Sequence, residues 1–539
     1  MGLVEHFVEN VSLMSIPLYV AGLIGAFTVY NILRITWQNI RIARLGTGLR
    51  PPSIRSWFPF NVDFIYQSIK SSMNHRVMEQ WRWIYAHTHS HTAETRILGR
   101  RIMFTVDPDN IKAILATQFG EFGKGKPFHK EWNGFLGDSI FTTDGELWHN
   151  SRHLIRPQFI KDRVSDLQVF ESKMDLLFKG IANGGALDGV DQYVNMAAGN
   201  GKPVDICDLF FRFTLDSATE FLLGKDVCSL STPRQEFADA FQEVQRIQSI
   251  IARCGPLAPY YPRKEFKKNM AVIDHFVNQY IDLALSLSPA ELESKTKGES
   301  GYTFLHELAG FTRDRKVLRD QLVAVLLAGR DTTACTLSWT IYELARHPEC
   351  VKRLRAEILS VVGPDRAPTY DDLKSMKYLQ NVMNETLRLY PVVPFNVRLA
   401  LKDTMLPRGG GPDGSQPIPV LKDTPIGYST LVMQRRPELY PPTSETFADP
   451  GTFSPERWYV WQPKPWTYIP FNGGPRICIG QQFALTEMGY VITRLFQKYE
   501  RVDSHMYELD GGKPVLRSEI VLCPHQGVHV SFWEAKKSG

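Results

Sequence analysis

The chain has 539 residues, 43% of them hydrophobic, and a formal net charge of +5. That length suits either two or three domains or one large-cored enzyme, and because no basic run alternates with aromatics, the charge pattern argues against a nucleic-acid partner. Seven scattered cysteines (Cys207, Cys228, Cys254, Cys335, Cys350, Cys478 and Cys523) form no CxxC pair, which argues against a disulfide scaffold or a zinc site and suits a reducing cytosol.

Leu13 to Leu33 contains no charged residue, enough to cross a bilayer, which takes ~20 apolar residues. Glu5 and Glu9 precede this run and Arg34, Arg41, Arg44 and Arg50 follow it. A signal peptide carries its basic segment first, and the positive-inside rule leaves the rest of the chain in the cytosol. The expected layout is a lumenal stretch at 1–12, a transmembrane anchor at 13–33, a basic, proline-containing linker at 34–56 and a globule at 57–539. Pro51 and Pro52 would make a stiff hinge.

Met78 to His87 reads as helix, Arg96 to Val106 as a short hairpin and Pro108 to Ala116 as helix, together a small sheet module. An irregular segment with Phe128, Trp132 and Phe135 leads to Trp148-His149-Asn150-Ser151-Arg152, which sets an indole N–H and a guanidinium one turn apart. From Ser165 to Pro348 the pattern is helical, broken at Gly255 to Pro262 and by the polar run Ser288 to Ser300. Near its end the apolar run Gln321 to Leu344 is interrupted by Ala328-Gly329-Arg330-Asp331-Thr332-Thr333. Val325, Ala328 and Thr332 share a helical face, where small residues leave room beside a flat cofactor and a hydroxyl points into that room. Asp331 is placed to pass protons to Thr332. The plainer reading makes Gly329 a kink and Asp331 and Thr332 locally bonded. Leu322, Val325 and Leu326 would offer an apolar face to substrate.

Glu385 and Arg388 lie on one side of a helix, and Val382, Met383, Leu387 and Leu389 imply that it is buried. Val392, Val393 and Phe395 are further pocket candidates, followed by Arg398. Leu406 to Ser415 reads as an exposed hairpin; lacking GxxxxGK[ST], it is no phosphate cradle. Arg457 stands in Pro455-Glu456-Arg457-Trp458. The most informative stretch is Phe471-Asn472-Gly473-Gly474-Pro475-Arg476-Ile477-Cys478-Ile479-Gly480. Its glycines let the backbone turn sharply and approach closely, and the helix-like run from Gln481 would temper negative charge on sulfur. A lone cysteine reads as an inert buried thiol; here the spacing FxxGxRxCxG is complete.

In order along the chain, WxxxR, AGxDTT, ExxR, PERx and FxxGxRxCxG resemble the signature of the cytochrome P450 family, over roughly Trp57 to Trp533. The GRDTT core, the LPRGGGPDG insertion, PERW and GPRICIGQQFALTE look most like the fungal alkane and fatty-acid hydroxylase branch and related secondary-metabolite enzymes. The resemblance implies a mainly α fold, a large helical domain with a small β-rich module. It implies haem b ligated by the Cys478 thiolate, with Trp148, Arg152, Arg398 and Arg476 on the propionates and Ala328, Phe471 and Gly480 beside the ring. Asp331 and Thr332 would deliver protons to dioxygen, while Glu385, Arg388 and Arg457 would form a buried triad fixing the cysteine region. The reaction implied is insertion of one oxygen atom from O2 into an apolar substrate. No flavin or nicotinamide fingerprint occurs in the chain. Electrons from NADPH would therefore come from NADPH-cytochrome P450 reductase, docking on Arg152, Arg156 and Lys161, with cytochrome b5 a second candidate donor. The setting would be the endoplasmic reticulum membrane, single-pass, with the catalytic domain cytosolic. A haem-thiolate isomerase or dehydratase, and a non-catalytic haem sensor, are the rival readings. Gln434-Arg435-Arg436-Pro437 departs from the HRxP string of many relatives and puts the local loop geometry in question.

Overall fold

The computed structural model describes residues 16–46, 49–54, 56–159, 167–190, 194–233, 235–297 and 303–535. The expected lumenal stretch, the first residues of the apolar run, Lys161 and residues 298–300 lie outside them. The apolar run is helical, but the helix spans Ile16–Arg44, so residues 34–44, expected in a linker, continue it. Its first half exposes Leu18, Leu23 and Ile24, whereas Asn31, Gln38 and Ile42 are buried. These three recur at helical spacing on one face. Gln38 Nε2 donates to the Gly99 carbonyl at 3.4 Å, Arg96 donates to Asn39 Oδ1 at 2.8 Å, and Arg41 pairs with Asp403 at 2.5 Å. The helix thus joins the globule well before Pro51 and Pro52, which do not act as the first hinge.

The small module is a five-stranded sheet in the order Thr92–Ile97, Arg100–Thr105, Pro425–Ser429, Phe395–Ala400 and Phe122–Gly123. The expected hairpin is its first pair, starting four residues early. Leu406 to Ser415 falls in a second hairpin, Thr404–Gly410 with Gln416–Val420; its tip is exposed as expected, while Leu406 and Ile418 are buried at its base. Two segments read as irregular are helices. Gly125–Leu136 is one, and Pro289–Lys297 lies within the polar run.

The remainder is mainly helical, with a three-stranded sheet of Pro203–Asp205, His529–Glu534 and Tyr499–Ser504 and a hairpin of Leu516–Ser518 with Leu522–Pro524, and it is built around Arg315–Leu344, which packs against Ile206–Leu223, Lys264–Ser286, Lys377–Leu389 and Gln481–Lys498. Of its 30 residues 22 are buried, as befits a helix surrounded by others on most of its faces. Its start is tied to the segment after Gly125–Leu136: Asp320 accepts from the Asp138 N–H at 2.8 Å. A Cβ on Gly137, whose φ is +55°, would sit 1.8 Å from the Asp320 carboxyl carbon, so only glycine allows this approach.

Candidate functional site

Four half-buried positions, Val325, Ala328, Gly329 and Thr332, interrupt the buried surface of the long helix. They recur at i, i+3, i+4 and i+7, one face, and match the predicted face with Gly329 added. The Thr332 hydroxyl donates to the Ala328 carbonyl at 2.7 Å, the local bond of the plainer reading. Asp331, 2% exposed, points to another side of the helix, and no hydrogen bond joins it to Thr332 among the described residues. Its Oδ1 meets Arg330 at 3.4 Å but accepts no hydrogen bond, and the carboxyl also bonds Gln245. Burial raises its pKa, only partly opposed by Arg330 and Gln245. Both Arg330 and Asp331 line a polar cavity of about 470 Å³. Leu322, Leu326 and Phe135 belong to a buried cluster of helix-packing side chains; of that predicted apolar set, Val325 is the one half-open.

The cysteine loop is held by its own backbone. Cys478 N–H donates to the Phe471 carbonyl at 3.0 Å and Ile477 N–H to Gly474 at 3.0 Å, with Asn472 and Gly474 at φ of 64° and 66°. A Cβ at Gly474 would lie 1.9 Å from the Leu115 carbonyl oxygen, whereas one at Gly480 would meet nothing nearer than 3.8 Å. Gly474 is thus required by the protein around it, and Gly480 is not. The Gln481–Lys498 helix starts just after Gly480. Cys478 keeps accessible surface although protein closes round the residue on nearly every side. Burial raises its pKa, opposed by the Gly480 N–H and by Arg152; the expected tempering of charge by the helix start is real but weaker than desolvation.

Around this loop the fold gathers cations. Arg152, one turn after Trp148 on the Gly145–Ile155 helix, donates to the Ile477 carbonyl at 3.0 Å. The Arg476 guanidinium lies 4.7 Å from the Trp148 ring centre and donates to the Ile140 and Thr143 carbonyls and to Asp144 at 2.7 Å, while its Nε is buried without a partner. Arg398, 3% exposed, donates to Asn396 Oδ1 at 2.8 Å. Sequence reasoning missed Lys124, which donates to the same oxygen at 3.1 Å. Burial, then Arg398 and Arg476, press its pKa well down, and burial followed by Arg398 pulls Arg476 to about 10. The carboxylate opposing Lys124 and Arg476 is Asp144, itself already used by the Lys124 and Gly125 amides. A cluster of buried cations with so little counter-charge fits an anionic group carrying carboxylates. Haem propionates meet that description.

Glu385, Arg388 and Arg457 do converge. Glu385 accepts from Arg388 Nε and Nη2 at 2.8 Å each, Arg457 Nε at 2.8 Å, Trp458 Nε1 at 3.0 Å and the Ser454 N–H at 2.9 Å. Burial would raise its pKa, but Arg388 and Arg457 more than offset this and hold it below the usual range. The guanidiniums spend their other donors on the Ala448, Asp449, Pro450 and Thr452 carbonyls. The departure at Gln434 resolves into a second clamp. Its buried amide donates to the Leu387 and Arg388 carbonyls and accepts from the Ile469 N–H at 2.9 Å, tying the ExxR helix to the approach of the cysteine loop.

Residues 51–531 match the family Cytochrome P450. The chain belongs to the cytochrome P450 family. This P450 is 56% identical, over 94% of either chain, to "Cytochrome P450 monooxygenase pvhE" of Talaromyces variabilis. It is 40% identical to "Cytochrome P450 52A13" of Debaryomyces hansenii, covering 88% of this chain and 89% of that one, and 41% identical to "Cytochrome P450 52A1" of Candida tropicalis, covering 87% and 85%. The P450 is accordingly a haem-thiolate monooxygenase of mainly helical fold, an oxidoreductase using dioxygen and NADPH-derived electrons through a redox partner. Among the described residues, one helix is long and apolar enough to cross a membrane, the Pro17–Arg44 stretch near the N-terminus.

Proposed function

We propose that this P450 inserts one oxygen atom into an apolar small molecule at the space between the Val325–Thr332 face and Cys478. The observation that carries the reading is the set of buried cations, Lys124, Arg398 and Arg476, gathered about the cysteine loop with one carboxylate between them. In this reading Cys478 is the iron ligand. Trp148, Arg152, Arg398, Arg476 and Lys124 hold the propionates, and Ala328, Phe471 and Gly480 border the ring. When bound, haem supplies the metal that activates dioxygen. Asp331 would take up and pass on a proton at a carboxyl whose pKa burial raises and that faces a polar cavity. Thr332, at the half-open face, presents the hydroxyl nearest the chemistry. The Glu385 triad positions the loop and takes no part in proton transfer.

The helix Ile16–Arg44 would cross the endoplasmic reticulum membrane with the globule in the cytosol; exposed Trp57, Phe58 and Tyr66 near its docked end support a contact with lipid. NADPH-cytochrome P450 reductase would dock behind Cys478, where exposed Arg156 and half-buried Arg152 stand, with cytochrome b5 a further donor. The substrate is a fungal secondary metabolite such as a polyketide, or else a fatty acid or alkane. The higher identity to the Talaromyces protein makes the substrate of that enzyme the first to test.

Reduced, purified holoprotein treated with carbon monoxide should give the red-shifted Soret band of a thiolate ligand; its absence sinks the assignment. A microsomal binding screen, scored by displacement of iron-bound water, separates polyketide intermediates from fatty acids and alkanes. Turnover without NADPH would favour the isomerase or dehydratase reading, and NADPH use indifferent to every substrate the sensor.

A further inference from the structure

The polar cavity beside Asp331 is also bordered by thiols. Cys207, at the start of the Ile206–Leu223 helix, and Cys523, in the Leu516–Ser518/Leu522–Pro524 hairpin, both line it, and their sulfurs are 4.0 Å apart. Cys335, one turn beyond Asp331 on the long helix, also bonds Cys523, and Arg517, its partner across the hairpin, interacts with Cys523 too. Three thiols and a guanidinium thus converge from two helices and one hairpin, although the residues are 128 and 188 positions apart along the chain and show no cysteine motif.

We propose that Cys207 and Cys523 are a peroxide-operated disulfide pair that staples the hairpin to the Ile206–Leu223 helix. Cys523 is the attacking sulfur: thiol donation from Cys207 and Cys335, together with Arg517, favours its thiolate against burial. It attacks one oxygen of hydrogen peroxide and breaks the O–O bond; the other oxygen leaves as hydroxide and takes up a proton to become water. The sulfenic acid formed is then attacked by the Cys207 sulfur, giving the disulfide and a second water. Each sulfur is oxidised by one electron and the peroxide is reduced by two. A thiol reductant reverses the step.

The hairpin is a meaningful element to fix. Arg253, at the end of the Glu236–Cys254 helix, donates to the Ser518 and Glu519 carbonyls at its tip. The Leu522 N–H donates to Val392 at 2.9 Å, and Trp339 Nε1 of the long helix donates to the Leu522 carbonyl at 3.0 Å. A staple at Cys523 therefore locks together three helices and the segment that precedes Phe395.

Full-length holoprotein in microsomes is titrated with hydrogen peroxide while the Soret band reports haem integrity, then alkylated under denaturing conditions and digested without reductant. Exposed Cys228 serves as the internal gauge of dose. At doses that oxidise Cys228 and spare haem, the expected product is a Cys207–Cys523 cross-linked peptide, lost on adding dithiothreitol. Slower hydrogen exchange across 516–524 is expected to accompany it. In Cys207→Ser the cross-link is absent and Cys523 accumulates as sulfinic acid. Full alkylation of both Cys207 and Cys523 at that dose overturns the proposal, as does a Cys335–Cys523 peptide in its place. These two readouts need only the wild-type protein, so a poorly folding variant leaves the test intact.

Discussion

Two buried acids in this P450, Glu385 and Asp331, are treated in opposite ways. Glu385 has five donors and a carboxyl held below its usual range; Asp331 has an Oδ1 that meets Arg330 only at 3.4 Å, without a hydrogen bond, and a raised pKa. A fully matched charge network rigidifies its surroundings. An acid left partly unmatched beside a polar cavity is free to exchange protons. In the proposed reading the first is architecture under the cysteine loop, and the second is the group that exchanges protons.

The sharpest break of that contrast is at the sulfur itself. Cys478→Ser should abolish the red-shifted carbon monoxide band and all oxygenation, read by difference spectroscopy. Next in size, Glu385→Ala should yield haem-free protein destabilised by about 3 to 5 kcal/mol, since it strands two buried guanidiniums; urea unfolding and haem content check it. Asp331→Asn should keep haem and fold but slow oxygenation by roughly 10²-fold, the scale of a lost acid–base group, with product formed per NADPH as the measure. If Asp331→Asn were instead the variant that lost haem, the assignment of the two acids would be reversed.

Lys124→Met should weaken haem retention by about tenfold, as loss of one charge-assisted bond does, seen by haem transfer to apomyoglobin. The smallest effect concerns stability. Glu487 is buried and burial lifts its pKa to about 8, so the folded state holds a proton that the unfolded state releases near pH 4.5. Its stabilising contribution is whole below that pH and falls as pH rises through about 8. Glu487→Gln should flatten this slope and gain on wild type as pH increases, measured by thermal unfolding from pH 5 to 8.5.

What could be read from the chain was chemistry packed into short spacings. Cys478 with its glycines, the ExxR pair and the Val325–Thr332 face each lie within a few residues, and helix periodicity alone aligns them. Lys124 could not be read so, because Gly123-Lys124-Gly125 gains meaning only when the Phe122–Gly123 and Phe395–Ala400 strands pair and bring it beside Arg398. Gln434 looked like a defect in a motif; its three long-range bonds appear only in space. The Gly125–Leu136 helix was hidden by glycines at 125 and 134 and by Pro127, although Phe128, Trp132 and Phe135 carried its period. The extent of the first helix had a signal that went unused: Asn31, Gln38 and Ile42 recur on one face through the arginines taken for a linker.

That last feature bears on how a soluble form of the enzyme should be cut. Trimming after Leu33, where the apolar letters end, would delete Asn31, whose side chain fits against Gly99, and would leave the edge of the first hairpin bare and sticky. A version starting at Val29 would keep that seat covered while discarding Leu18, Leu23, Ile24 and Phe27. Solubility and a monodisperse elution profile, better for the longer version than for the shorter, would follow from about eight turns of helix being two devices welded end to end, only one of which belongs to lipid.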